Sequence, residues 1–103
     1  MDKNKKEQLK ANGWVETTVQ DFLELTDEEA AYIEMKLNLS QALRERRLAR
    51  GLTQKEFAAL VRSSQSRVSK MENGDPSISL EPLLSSLLAL EATEEELAAA
   101  IAA

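Results

Sequence analysis

The sequence predicts an all-α chain of about five helices with a partly helical N-terminal extension. Three observations point there. Leu, Ala and Glu are abundant, whereas aromatic residues make up 4% of the 103 residues, with three Gly and two Pro, a mixture that favours helix over sheet. Apolar residues recur at three- and four-residue steps, most clearly at Leu80, Leu83, Leu84, Leu87 and Leu88; that is the stripe of an amphipathic helix. The pattern of a threonine followed three residues later by a glutamate occurs at Thr26/Glu29, Thr53/Glu56 and Thr93/Glu96. It marks helix starts, because the hydroxyl accepts one unbonded backbone N–H and the carboxylate reaches back to another.

Taken in order, Asp2 to Asn12 is polar and reads either as a short helix stopped by Gly13 or as an unstructured tail. Trp14, Val15, Val19, Phe22, Leu23 and Leu25 form the aromatic-rich apolar cluster, with Val19, Phe22 and Leu23 at helical spacing. It either covers a helical core or forms a dimer or partner surface. From Asp27 no breaker occurs until Gly51, so one long helix to Arg50 is favoured over two bent near Asn38 to Ser40. Gly51 suits the left-handed residue that ends a helix, and the arginines before it suit the negative end of the macrodipole. Thr53 opens a helix through Val61 with Phe57, Leu60 and Val61 as its apolar face. Ser63 or Ser64 caps the next, from Gln65 to Glu72, which ends at Asn73-Gly74 before a turn at Asp75-Pro76. Ser79 to Leu90 forms an amphipathic helix, and Thr93 opens a last, alanine-rich one.

The length accommodates one compact domain plus an extension, placed at residues 39–103 and 1–38. With no His and no Cys, the chain lacks imidazole bases, thiolate zinc sites and disulfides. Its hydroxyls and carboxylates have no nucleophile-activating partner, so neither an enzyme nor a metal or other cofactor is expected. The charged N-terminus is unlike a signal peptide, and no stretch approaches the roughly 20 apolar residues of a membrane span. A soluble, cytoplasmic protein without membrane association is the expectation.

The net charge of -5 is unevenly divided. Residues 1–42 hold five Lys and nine acids, residues 43–74 hold eight Lys or Arg and three Glu, and residues 75–103 hold six acids and no base. A window of +5 thus lies between flanks of -4 and -6. Screening limits strong interactions to about a Debye length of ~10 Å, so this window can present a positive face to phosphate despite the acidic total.

Within that window two short helices are joined by only a few residues and must cross steeply, the geometry of a helix-turn-helix. Ala58 supplies the small side chain needed at the crossing, and Val68 and Met71, three apart, supply the inward face of the second helix. Gln65, Ser66, Arg67, Ser69 and Lys70 are left facing outward. Through LTQKEFAALVRSSQSRVSKMENGD, Leu52 to Asp75, the sequence resembles the lambda-repressor-like (Cro/Xre-type) helix-turn-helix regulators. The matching residues are Thr53-Gln54, Ala58, Val68 and Glu72-Asn73-Gly74. The resemblance extends over about residues 39–90, and Arg62 departs from it where the family often has glycine.

The resemblance implies a recognition helix in the major groove of double-stranded operator DNA, with its N-terminal residues at base edges. Gln65 is then the main reader, since its amide can bond adenine N6 and N7 together. Ser64, Ser66 and Ser69 belong to the DNA-binding face, Ser66 and Ser69 being short enough to let the backbone approach. Arg67 suits a base or mixed contact and Lys70 a phosphate. Gln54 matches the family glutamine that grips the DNA backbone and buttresses the reader. At Arg62 a strictly left-handed turn costs ~1 to 2 kcal/mol, so either the turn is reshaped or Arg62 reaches a phosphate. The resemblance also pairs Arg47 with Glu72 as a structural ion pair, leaving Arg44, Arg46 and Arg50 as further candidates for phosphate.

A dimer spanning two half-sites is the economical reader, paired through the C-terminal leucine and alanine helices or the Trp14 region. Two biological roles fit: a free-standing or phage-type repressor, or a HigA-like antitoxin of a type II toxin-antitoxin pair. The latter binds its own operator and neutralises a ribonuclease toxin of the RelE/HigB kind, with Trp14 and Phe22 in the candidate toxin contact.

Overall fold

The computed structural model describes Asp21 and residues 23–103. The opening polar stretch and Trp14, Val15, Val19 and Phe22 lie outside the described residues. Five helices follow one another: α1 (Asp27–Ala49), α2 (Gln54–Leu60), α3 (Gln65–Glu72), α4 (Leu80–Ala89) and α5 (Glu94–Ala102). No strand occurs among the described residues, so the all-α expectation holds. No helix among them is long and apolar enough to cross a membrane. The chain divides into two units, Met1–Ile33 and Glu34–Ala103.

Local chemistry sets the helix starts. At Thr26 the hydroxyl accepts from the Glu29 N–H at 3.1 Å and the Glu29 carboxylate accepts from the Thr26 N–H at 3.2 Å. Thr53 with Glu56 and Thr93 with Glu96 repeat this reciprocal cap. Nothing interrupts α1, which is one helix of 23 residues. Its buried residues, Leu39, Ser40, Leu43 and Arg47, follow each other by one to four positions in its second half, so this half supplies the face on which the reader packs.

Four helices stop in the same way, on a residue in the left-handed region: Gly51 (φ 68°), Arg62 (φ 55°), Gly74 (φ 70°) and Glu91 (φ 63°). After α1, the Leu52 N–H reaches back to the Arg47 carbonyl and the Gly51 N–H to that of Leu48. After α2 the Ser63 N–H bonds the Ala58 carbonyl at 2.8 Å, and after α4 the Ala92 N–H bonds that of Leu87 at 3.0 Å. This six-to-one closure satisfies carbonyls that a helix end leaves without partners. The helix-turn-helix turn is therefore not reshaped around Arg62; the arginine takes the conformation that glycine adopts at less cost.

The core of Glu34–Ala103 is built from Leu39, Leu43, Phe57, Ala58, Val68, Met71, Ile78, Leu83, Leu87, Leu90 and Ala92. Each large side chain among them contributes about 1.5–3 kcal/mol relative to exposure. Two sequence expectations are corrected. Leu60 is 56% exposed: successive helix residues turn by about 100°, so the buried Phe57 and Ala58 and half-buried Val61 take the inward arc and carry Leu60 out of it. Leu88 is 54% exposed for the same reason, since Leu83, Ser86 and Leu87 define the buried side of α4.

Arg46 ties α1 to the α4–α5 turn. Its Nε donates to the Leu90 carbonyl and its Nη2 to the Glu91 carbonyl, both at 2.8 Å, and Nη1 pairs with Glu96. Arg50 pairs with Glu91 at 3.2 Å. Arg46, a candidate for phosphate in the sequence, is thus engaged within the fold, whereas Arg50 and Arg44 are exposed. At the far end of α5, the Asn38 amide donates to the carbonyls of Ile101 and Ala103.

Candidate nucleic-acid interface

The candidate reader is α3, a helix of eight residues. Ser64, not Ser63, caps it: the Ser64 hydroxyl accepts from the Arg67 N–H at 3.1 Å. Val68, Met71 and Glu72 are buried, which fixes the helix's rotation. With 3.6 residues per turn, Ser66 and Lys70 then occupy the outward arc, Arg67 the flank next to Met71, and Gln65 and Ser69 the flank next to Glu72.

The exposures follow this arrangement. Ser64, Gln65, Ser66, Arg67 and Lys70 are exposed, as is Arg62 in the preceding turn. Ser69 is half-buried and its hydroxyl accepts from the Asn73 amide at 3.3 Å. Gln54, at the start of α2, is half-buried, and its amide donates to Glu72 Oε1 at 3.3 Å. Glu72 in turn is gripped by Arg47, whose Nε and Nη2 donate to its two oxygens at 2.6 and 2.9 Å. A third Arg47 bond reaches the Leu52 carbonyl at 2.7 Å. One network thus joins α1, α2 and the last turn of α3, and the Gln54 side chain, positioned at the reader's edge, is part of it.

Among the predicted residues, Ser64, Ser66, Arg67 and Lys70 line one cleft of about 300 Å3 together with Ser77 and Ile78. Ser77 was not singled out from the sequence. Its signal is local: the Ser77 N–H donates to Asp75 Oδ1 at 2.8 Å, the turn an Asp two residues ahead favours. Bonds from Ser77, its side chain first and its N–H second, hold the Asp75 carboxyl below its ordinary 3.8. Arg62 and Arg67 line a separate groove on the other flank of α3. Among the described residues no group of three or more acidic, His or Cys side chains is arranged to hold a metal ion.

A short helix presenting polar and basic side chains, braced by a second helix and buried along its opposite side, defines the class of helix-turn-helix DNA-binding domains. The model of the helix-turn-helix family, of Cro/C1 type, matches residues 43–97, more than half of the chain, and the chain belongs to that family of DNA-binding transcription regulators. The match begins in the second half of α1 and ends within α5. No curated protein and no solved structure matches the chain.

Proposed function

We propose that the chain is a cytoplasmic repressor that reads double-stranded operator DNA as a homodimer, setting α3 of each copy into the major groove. The observation that carries this reading is the fixed rotation of α3: Val68, Met71 and Glu72 are buried while Gln65, Ser66, Arg67 and Lys70 are exposed. Gln65 is the principal base reader. Ser64 belongs to the same face, Ser66 and Ser69 let the backbone approach, Arg67 makes base or mixed contacts, and Gln54, Arg62 and Lys70 hold phosphates. Residues 39–103 carry the reader and residues 1–38 form an extension; no cofactor takes part. Selection from randomised duplexes with the full-length protein tests this. The reading expects a palindromic consensus with half-site centres about 34–36 Å apart and two chains per duplex; a consensus without symmetry, or none, contradicts it.

A second reading is that the same regulator is an antitoxin that also neutralises a RelE/HigB-like toxin. The observation favouring a protein partner is apolar side chains left more than half exposed, namely Leu23, Leu48, Leu60 and Leu88. Co-purification of the full-length chain with the product of the neighbouring gene, when that product is a small ribonuclease, supports this role; a neighbouring ribonuclease that does not co-purify removes it.

A further inference from the structure

A groove of about 300 Å3 runs between the second half of α1, the α4–α5 turn and α5, and no residue of α2 or α3 lines it. Its walls are apolar: Ala42 and Ala49 from α1, Leu87 from α4, Ala92 from the turn, and Leu97 and Ala100 from α5. The packing here is incomplete. Leu97, Ala100 and Ile101 attach α5 to the core, yet α5 has no buried residue, and Ala49 is exposed.

Ala42 and Ala49 stand two turns apart along one side of α1. Small side chains at that spacing let another helix approach closely, with its larger side chains entering the gaps between them. The groove therefore has the shape of a site for an amphipathic helix laid along it.

Charge selects which helix fits. Glu45 lines the groove between the two alanines and is exposed. Its carboxylate accepts from the Gln41 amide at 2.9 Å and is in no ion pair with a described residue. The charge of Arg46, the cation lining this groove, is matched by Glu96. Glu94 and Glu95 are exposed and precede Glu96 directly in the chain, so they act within a Debye length of ~10 Å. Residues 75–103 hold six acids and no base. A second copy of this chain would set the same carboxylates against each other, a juxtaposition that opposes association.

We infer that the α1–α5 groove is a docking site for a basic amphipathic helix of another protein. The apolar side of that helix fills the space between the alanines, and its Lys or Arg side chains pair with Glu45 and the carboxylates of α5. Because the groove draws on neither α2 nor α3, the inference does not rest on the DNA-reading proposal above.

A phage-displayed library of helical peptides, with leucine and alanine fixed on one side and the flanking positions randomised, is selected against the full-length protein. Enriched helices are expected to carry Lys or Arg on their flanks and to shift the amide resonances of Ala42, Glu45, Ala49, Leu97 and Ala100. Glu45→Gln should weaken them about two- to fivefold. Ala49→Phe, which fills the groove from an exposed position, should weaken them roughly tenfold or more. No enrichment, enrichment of acidic or uncharged flanks, or undiminished binding to Ala49→Phe overturns the inference. Where Ala49→Phe fails to fold, undiminished binding to Glu45→Gln overturns it equally. A wild-type dimer that Ala49→Phe converts to a monomer in sedimentation also overturns it, since the groove then belongs to a second copy.

Discussion

Arg47 and Glu72, 25 residues apart, meet in a buried two-pronged ion pair, Nε to Oε2 at 2.6 Å and Nη2 to Oε1 at 2.9 Å. Their side chains are 9% and 2% exposed. Hydrogen bonding to Glu72 raises the Arg47 pKa above its ordinary value, outweighing the opposite effect of burial, and the Glu72 charge adds to the rise. The pair fastens the end of α3 to α1, and through Gln54 it fastens α2 as well.

Removing one partner of such a pair leaves a buried charge without compensation. Glu72→Gln is expected to destabilise the protein by about 3–5 kcal/mol in urea unfolding. The double variant Arg47→Met/Glu72→Leu should recover most of that loss, since an apolar pair of similar size avoids desolvating two ions. A Glu72→Gln cost below about 1 kcal/mol would mean that the pair is exposed to water in solution.

Gly74 ends α3 at φ +70°, and a Cβ placed there would lie 2.6 Å from Leu37 Cδ2. Leu37 is half exposed and the contact is at the tip of its side chain, so it can move aside; the backbone conformation cannot. Gly74→Ala is expected to cost about 1–2 kcal/mol, and adding Leu37→Ala should restore little of it. Full recovery in the double variant would place the cost in the contact instead.

Much of this framework was legible because its signals are local. The caps at Thr26, Thr53 and Thr93 need only a glutamate three residues on, and α3 occupies Gln65 to Glu72 as expected from its flanking serines and glycine. The family pattern anticipated Arg47 with Glu72. What escaped depends on partners that a sequence does not display. Arg46 looks like a free cation until the fold brings the carbonyls of Leu90 and Glu91, 44 and 45 residues away, to its guanidinium. Leu60 looks like a core residue until the short α2 shows that Phe57, Ala58 and Val61 already fill its inward arc. The groove at Arg62 draws on the α2–α3 turn, α3 and α4 together, a juxtaposition that no spacing encodes.

Acid should loosen the α1–α5 attachment. The Arg46 side chain, first, and the Thr93 N–H, second, hold the Glu96 carboxyl below its ordinary 4.5. A depressed carboxyl stabilises the fold fully above its unfolded pKa and loses that contribution as pH falls through the lower folded value. The Tm is therefore expected to decline as pH drops below about 4.5, with Glu56, held low by its bonds to Thr53, contributing to the same limb. Glu96→Gln should flatten the decline; an unaltered acid limb would show that Glu96 does not contribute to it.

In the proposed mode of binding, α3 reads base edges with Gln65 in the lead. Selection from randomised duplexes by Gln65→Ala, compared with the wild type, is the decisive measurement. The variant is expected to fold and its consensus to lose preference at one base pair per half-site, a discrimination of about 1–3 kcal/mol, while the remaining positions persist. An identical consensus from both proteins would remove Gln65 as the base reader.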